Sequence, residues 1–266
     1  VRQFKSGLKK TKDDNNELVL KELQKSLKSN TKLVVISHIL WNTGQIMPIS
    51  AIAEKLNMHS SKPYLLVDAA QSFGQIPIKD AASSADIYAF TGHKWAFGPE
   101  GLGGVALSER LLNESTPTLV GWKSLKKEES IYRQNPDPYH IDARRFEIAT
   151  SCIPLLAGLR TSLELLEKEG SETERLKKIQ SLSMYLWEGL NKLNGVKTVL
   201  HGPPPTGLVS FSLLKEKSES SLVRYLGKQK LWIRVLEDPL WLRACVHITS
   251  TKKEIEILLE AIKSFF

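Results

Sequence analysis

The chain has 266 residues, enough for one large domain or two smaller ones. Hydrophobic residues make up 41% and charged residues 25%, a globular composition that excludes a disordered or fibrous protein. The two cysteines, Cys152 and Cys245, are too few for a disulfide framework or a tetrahedral zinc site, so no metal is predicted. No run of about 18 apolar residues occurs, so no membrane span is expected. We expect a protein of the reducing cytoplasm.

The formal net charge is +8, from 37 Lys and Arg against 29 Asp and Glu. The first thirty residues contain eight basic and four acidic side chains, so they supply 8 − 4 = +4, half of the total. Elsewhere both signs alternate along helical stretches, whereas nucleic-acid binders concentrate positive charge on one face. We therefore predict neither a nucleic-acid nor a membrane partner. A basic nucleic-acid-binding protein is kept as a disfavoured alternative.

The first part of the chain alternates helical and strand patterns. Leucines at helical spacing predict an amphipathic helix over 16–29, and PISAIAEKLN predicts another over 48–57. A short apolar run of the kind found in buried parallel strands covers 32–38, and a strand that runs into a loop is predicted within each of 64–72, 85–95 and 101–108. This alternation predicts an α/β domain built on a mostly parallel sheet.

The second part of the chain changes character after a long polar segment. Residues 123–145 contain two prolines and read as a functional or irregular loop. Helical patterns begin at 154, and strands are then predicted at 196–200, 207–213, 231–235 and 241–248, with helices at 219–228 and 251–264. We predict part of a large domain over 1–160 and a smaller C-terminal α+β domain over 161–266.

Polar residues follow the predicted strands at their carboxyl ends, where α/β sheets gather their ligands. Lys94 ends the tetrapeptide Thr91-Gly92-His93-Lys94, and a lysine in such a place can form a Schiff base. Asp68 lies 26 residues earlier, at the end of the preceding predicted strand. An Asp paired with a pyridinium nitrogen and a Schiff-base Lys is the usual protein contribution to pyridoxal-phosphate chemistry. A surface Lys in a loop is the alternative reading of the tetrapeptide alone.

Several motifs occur together in one order. The stretch LLVDAAQSFGQIPIKD precedes DIYAFTGHKWAFGPEGLGGV, RFEIAT follows at 145–150, and LRACVHITSTKKEIEILLEAI closes the pattern. Together they resemble the class V aminotransferases of fold-type I pyridoxal-phosphate enzymes, a group that includes the cysteine desulfurases. Ala149 stands where that family usually has Gly. The resemblance covers nearly the whole chain.

The resemblance implies a role for each residue around the expected pyridoxal 5′-phosphate. Lys94 would carry the Schiff base, Asp68 would hold the ring nitrogen protonated, and Gln71 would contact the phenolate oxygen. Thr91 and His93 would bind the phosphate.

It also implies a homodimer with shared sites and an amino-acid substrate. Thr150 would reach the phosphate of the neighbouring subunit, and Arg243 would hold the substrate carboxylate. Asn42 is a weaker match to a family Asn near the cofactor, because Trp41 stands in the neighbouring register.

The chain departs from the desulfurases in its cysteines. Those enzymes carry a persulfide-forming Cys on a loop roughly fifteen residues before the carboxylate Arg, because sulfur transfer needs a thiolate there. Here that stretch has no Cys, Cys245 follows Arg243 in an apolar strand and is expected to be buried, and Cys152 has no clear nucleophilic role. The text VGWKS and LRACVH resembles instead the branch of cystine and cysteine C–S lyases, with Trp122 lining the substrate pocket or serving as a core residue.

The family's N-terminal third has no counterpart before Lys32, and the chain lacks an initiator Met. His38 is the one early candidate for the aromatic ring that stacks on the cofactor, and it lies on the wrong strand. We therefore expect a truncation of roughly a hundred residues or more. The predicted function is β-elimination from L-cystine or L-cysteine, releasing persulfide or sulfide, pyruvate and ammonia. The alternatives are a cysteine desulfurase or selenocysteine lyase yielding alanine, another class V enzyme, and an inactive fragment.

Overall fold

A computed structural model of the chain describes residues 12–126, 138–214 and 218–266. The first part holds a four-stranded sheet in the order β1-β2-β3-β4. Strands β1, β2 and β3 are parallel, and β4 runs antiparallel to β3. The prediction of a mostly parallel sheet is therefore confirmed. The strands are β1 (Leu33–Ser37), β2 (Tyr64–Asp68), β3 (Ile87–Thr91) and β4 (Gly103–Leu107).

One face of this sheet is covered by helices. Alternate residues of the strands, such as Ile36 and Val67, are buried against Val19 and Leu23 of the first helix and Ile52 of the second. Two six-residue helices that the periodicity did not predict lie in the connections before β3 and after β4. The helices are α1 (Lys12–Ser26), α2 (Ile49–Asn57), α3 (Lys79–Ser84) and α4 (Glu109–Glu114).

The opposite face of the same sheet carries exposed apolar side chains. Leu33 and Val35 of β1 are 49% and 58% exposed, and Val105 of β4 is 53% exposed. Their neighbours Val34 and Ile36 are buried, so β1 alternates residue by residue between the two faces. Parallel sheets are usually covered on both faces.

Between the two sheets the chain makes short turns and then two long helices. Residues Trp122–Ser124 and Ala143–Phe146 form 3₁₀ turns, and Leu125 bridges Tyr139, while 127–137 of the predicted loop lie outside the described residues. Helix α5 (Ile153–Lys168) and helix α6 (Glu172–Asn191) follow. The predicted domain boundary after residue 160 falls within α5 and stays a prediction.

The second sheet is antiparallel, in the order β5-β6-β8-β7. Phe211 and Leu242 from its central strands are fully buried against Leu186 of α6, Leu222 of α7 and Ile262 of α8. The predicted α+β character of this part is found. Its elements are β5 (Val196–Thr198), β6 (Leu208–Leu213), α7 (Glu219–Lys228), β7 (Arg234–Glu237), β8 (Leu240–Cys245) and α8 (Lys252–Lys263).

Hydrogen bonds join the two parts directly. The Thr206 hydroxyl donates to the carbonyl of Gly44 (2.7 Å), and the backbone N–H of Gly207 donates to Gln75 Oε1 (2.6 Å). Gly44 adopts φ 79°, and a Cβ there would lie 2.6 Å from the Leu208 carbonyl oxygen, so this turn requires glycine. These contacts fix the end of the second sheet against the loops that follow β1 and β2.

No helix in the described ranges has the length and apolar character needed to cross a bilayer. Within the same ranges, no group of three or more His, Cys, Asp and Glu is placed to hold a metal ion.

Candidate active site

A cleft of about 430 Å³ opens between the carboxyl ends of β1 and β2 and one end of β8. Loops after the first-sheet strands supply one wall, and the second sheet supplies the other. The cleft brings together four of the predicted site residues, namely Lys94, Asp68, Gln71 and Arg243. The cleft therefore lies at the edge of the sheet where the carboxyl-end rule for α/β sheets predicts a ligand site.

Asp68 and Lys94 are both exposed to the cleft. Asp68 is the last residue of β2, and its Oδ1 accepts a hydrogen bond from the backbone N–H of Ala70 (2.9 Å), which orients the carboxylate. Lys94 lies in the turn after β3, where Gly98 N–H donates to the Gly92 carbonyl (2.8 Å). This closed turn presents the Lys94 amine at the end of the sheet.

Gln71 is held in place by a buried tryptophan. Trp95 Nε1 donates to Gln71 Oε1 (2.9 Å), and the Trp95 side chain is almost fully buried. Because its oxygen is occupied, Gln71 has its amide N–H₂ group left as a donor toward the cleft. Trp95 directly follows Lys94 in the chain, so the same residue that orients Gln71 also anchors the lysine turn.

Arg243 is 8% exposed and reaches the cleft from β8. Its Nη1 donates to the backbone carbonyl of Trp41 (2.6 Å), and its guanidinium carbon lies 5.9 Å from the centre of the Trp41 ring. Its Nε is buried and has no hydrogen-bond partner. A buried guanidinium with unused donors is suited to a carboxylate ligand, which it can bind through two parallel hydrogen bonds.

A second arginine, which the sequence did not predict, lines the same cleft. Arg234 on β7 is exposed and stands directly opposite Arg243 in the antiparallel register of β7 and β8. Directly paired residues in such a ladder point to the same face of the sheet. The cleft therefore has two guanidinium groups on one wall.

His247 completes that wall and was also not predicted. Its ring stacks on Trp95 (centroids 5.0 Å apart, 13° between planes) and contacts Phe97 (4.0 Å). Its Nδ1 accepts from the Ile248 N–H (2.8 Å), which places the proton of the neutral ring on Nε2. Burial lowers the pKa of His247 to about 4, so the ring is neutral at pH 7 and acts as a flat wall rather than a cation.

The predicted phosphate residues lie beside the cleft rather than in its wall. Thr91 Oγ1 and His93 Nδ1 are 2.5 Å apart, just before Lys94 in the chain, and neither lines the cleft. His38, the early aromatic candidate, is buried, and its Nδ1 shares a hydrogen bond with the Tyr88 hydroxyl (2.8 Å). Burial lowers the pKa of His38 to about 4. This agrees with its exclusion as a ring that stacks on a ligand.

Three further predicted residues are placed apart from the cleft. Asn42 was the predicted residue, but its neighbour Trp41 lines the cleft instead. Trp122 lines a separate concavity of about 440 Å³ together with Lys123 and His140. Thr150 is exposed after the second 3₁₀ turn. The structure therefore does not bring Asn42, Trp122 or Thr150 to Lys94 within one subunit.

The prediction of a buried Cys245 is wrong. Cys245 is exposed and lines the cleft, because it points to the same side of β8 as Arg243, whereas its neighbours Ala244 and Val246 are buried in the core. Cys152 is also exposed, but it lies outside the cleft, at the residue before α5.

The chain is similar to proteins of known family over most of its length. The sequence profile of the class-V aminotransferases matches residues 8–258. The chain belongs to the class-V aminotransferase family. Among curated members, it is 27% identical over 267 residues to a cysteine desulfurase of Haloferax volcanii, an alignment that covers 94% of this chain. It is 28% identical over 265 residues to a probable cysteine desulfurase of Halalkalibacterium halodurans, with 93% of this chain covered.

Two similar solved structures are of the cystine C–S lyase C-DES. One is its complex with the reaction product cysteine persulfide, with 35% identity, a TM-score of 0.88 and 98% of this chain covered. The other is a C-DES mutant with glycine covalently linked to its PLP cofactor, with 36% identity, a TM-score of 0.85 and 92% of this chain covered. These likenesses confirm the predicted fold and the predicted family.

The chain spans only part of these relatives. It covers 59% of the Haloferax protein, 62% of the Halalkalibacterium protein, and 63% and 68% of the two C-DES chains.

Proposed function

We propose that the protein containing this chain is a pyridoxal-phosphate-dependent C–S lyase. Its substrate is L-cystine or L-cysteine, and its products are a persulfide or sulfide, pyruvate and ammonia. The observation that carries the proposal is the meeting of Lys94, Asp68 and two arginines in one cleft. The likeness to C-DES at 35% identity supports the same reading.

The donor set of the cleft fits pyridoxal 5′-phosphate. Lys94 offers an amine, Asp68 offers a carboxylate for a pyridinium nitrogen, and Gln71 offers an amide N–H₂ group for a phenolate oxygen. Thr91 and His93 are the candidates for holding the phosphate. When bound, the cofactor would supply an electron sink for the negative charge that forms at the substrate Cα.

The side chains of this chain would bind the substrate, move its proton and limit the access of water. Arg243 would fix the substrate carboxylate, and its burial strengthens that pair because little water competes for the guanidinium. The neutral Lys94 amine would remove the Cα proton as a general base. The Cβ–S bond would then break, and the sulfur would leave with its electron pair. Trp41 and Trp95 line the cleft and would limit the access of water.

The two arginines favour L-cystine over L-cysteine. Cystine carries a carboxylate at each end, and Arg234 stands opposite Arg243 on the same wall. With Arg243 on the near carboxylate, Arg234 would pair with the far one. The leaving group would then be the persulfide of cysteine, which is the product named for C-DES.

We further propose a homodimer in which each cleft is completed by the neighbouring subunit. Trp122 is 52% exposed and Thr150 is also exposed, and neither reaches the cleft of its own subunit. Their exposure leaves them available to a partner, as the family resemblance implies for Thr150.

The test is product analysis on the full-length protein. Given L-cystine and the cofactor, the wild type should form pyruvate and a persulfide in equal amounts. Lys94→Ala should lose both the products and the visible absorbance of the cofactor joined to the protein. Lys62→Ala, a lysine outside the cleft, is the matched control and should keep both. Alanine in place of pyruvate would contradict the lyase and indicate a desulfurase.

A desulfurase remains the second candidate because of one observation. Cys245 is exposed in the cleft, although it is not on the loop where desulfurases carry their nucleophile. In that case a thiolate of the protein would take the substrate sulfur directly, and alanine would be the amino-acid product.

A further inference from the structure

Cys245 brings a free thiol into the cleft that contains Lys94. It is the last residue of β8, it is exposed, and it lines the same cleft as Lys94. Arg243 lies two positions earlier on the strand, and residues two apart point to the same side of a strand. The thiol and the buried guanidinium therefore face the cleft together.

The groups around this thiol favour the binding of an anion. Arg243 is more than nine-tenths buried, and its Nε has no partner, so the cleft contains an unsatisfied cationic donor. Arg234 adds a second cationic group, while Asp68 is the one carboxylate among the described side chains that line the cleft. A persulfide of an amino acid carries a carboxylate, which suits the arginines, and a sulfur that can be transferred.

We propose that Cys245 is the acceptor of the terminal sulfur of the persulfide released in the cleft. The proposal rests on the proposed function, because that reaction supplies the persulfide. The Cys245 thiolate attacks the terminal sulfur of cysteine persulfide, and the S–S bond of the persulfide breaks. A new S–S bond forms on Cys245, and the cysteine thiolate leaves with the electron pair and takes up the proton. One sulfur atom changes partner, so no oxidant or reductant is needed.

Cys152 provides the comparison within the same chain. It is also a free, exposed cysteine, but it lies at the start of α5 and does not line the cleft. If exposure alone decided the reaction, the two thiols would react equally. If the cleft decides it, Cys245 gains sulfur faster, because nearby cationic groups can raise the local concentration of an anion by roughly tenfold or more.

The experiment measures where sulfur is bound. The full-length protein, loaded with its cofactor, is given cysteine persulfide made by mixing L-cystine with sulfide, and mass spectrometry follows each cysteine-containing peptide. Wild type, Cys152→Ser, Cys245→Ser and Arg243→Gln are compared, with L-cystine alone in a parallel sample. Pyruvate is measured in every sample, so that a failure of the lyase activity is seen separately from a failure of sulfur transfer.

The expected result is one added sulfur atom on Cys245 in the wild type and in Cys152→Ser. The rate should saturate with persulfide concentration, exceed that at Cys152 by about tenfold or more, and fall in Arg243→Gln. Equal rates at the two cysteines, or a whole cysteine rather than one sulfur atom bound to Cys245, would overturn the proposal. Because the persulfide is supplied directly, these outcomes hold whether or not pyruvate forms from cystine.

Discussion

Replacing Gly207 by alanine should disrupt the packing between the two sheets. Gly207 lies just before β6, and its carbonyl accepts the Val246 N–H (2.7 Å) while its own N–H donates to Gln75 Oε1 (2.6 Å). A Cβ at this position would lie 2.2 Å from the Val246 carbonyl oxygen and 2.7 Å from Cη2 of Trp95. Neither neighbour can move cheaply, because one is backbone and the other is a buried ring.

The size of the effect follows from these contacts. Forcing an extra methyl into a packed site costs about 1–3 kcal/mol, and each of the two hydrogen bonds at risk contributes about 0.5–1.5 kcal/mol. We expect Gly207→Ala to lower the free energy of unfolding by about 3 kcal/mol. With a urea m-value of about 3 kcal/mol per molar, the unfolding midpoint falls by about 1 M, with no change in m.

Urea unfolding followed by circular dichroism measures this shift. Gly202→Ala is the matched control, because a Cβ there would have no atom within 4 Å. Its free energy of unfolding should differ from that of the wild type by no more than about 0.5 kcal/mol, as for most surface substitutions. The steric argument fails if Gly207→Ala is as stable as the wild type, or if Gly202→Ala loses as much stability.

Three further predictions concern the core, the pH response and the cleft. Phe211→Ala should cost about 3–5 kcal/mol in urea unfolding, because the ring is fully buried between α6 and the second sheet; a loss under 1 kcal/mol would contradict its place in the core. Burial holds the pKa values of His38 and His247 at about 4, below the usual 6.5, so the unfolded chain takes up protons first on acidification. Stability present above pH 6.5 should therefore be lost between pH 6.5 and 4, by up to about 1.4 kcal/mol per pH unit for each histidine. The loss between pH 7.5 and 5 should be smaller in His38→Gln, and an unchanged loss would refute this origin. Arg243→Lys should raise KM for cystine about tenfold or more in the full-length enzyme, since lysine cannot form the paired hydrogen bonds; an unchanged KM would show that the carboxylate binds elsewhere.

The sequence predicts most of the fold because its strands are short, apolar and clearly bounded. The eight strands of the described residues lie where the sequence predicts them, with bounds that differ by a few residues. Within 64–72, predicted as a strand that runs into a loop, the strand ends at Asp68, because the next residues turn through hydrogen bonds such as that from the Ser72 N–H to the Ala69 carbonyl. Helices α3 and α4 were missed because six residues are too few to show a helical period.

The candidate site could be predicted only where a motif marks it. Lys94 and Asp68 follow strands of a parallel sheet, so the topology alone brings them together. Arg234 was missed because its place opposite Arg243 depends on the pairing of β7 with β8, which no local pattern records. Cys245 was misplaced because an apolar strand predicts burial of both its faces, whereas Cys245 points to the cleft and its neighbours Ala244 and Val246 point into the core.

The bare face of the first sheet has a consequence for which substitutions the protein tolerates. Val35 is 58% exposed here, whereas Val34 is buried beneath the helices. Because parallel sheets usually have both faces covered, we expect positions 35 and 105 to tolerate only apolar side chains, as buried positions do. A mutational scan of the full-length protein for growth-supporting activity should then reject Lys at Val35 as firmly as at Val34. The same scan should accept Lys at Met58, whose side chain is 81% exposed just after α2.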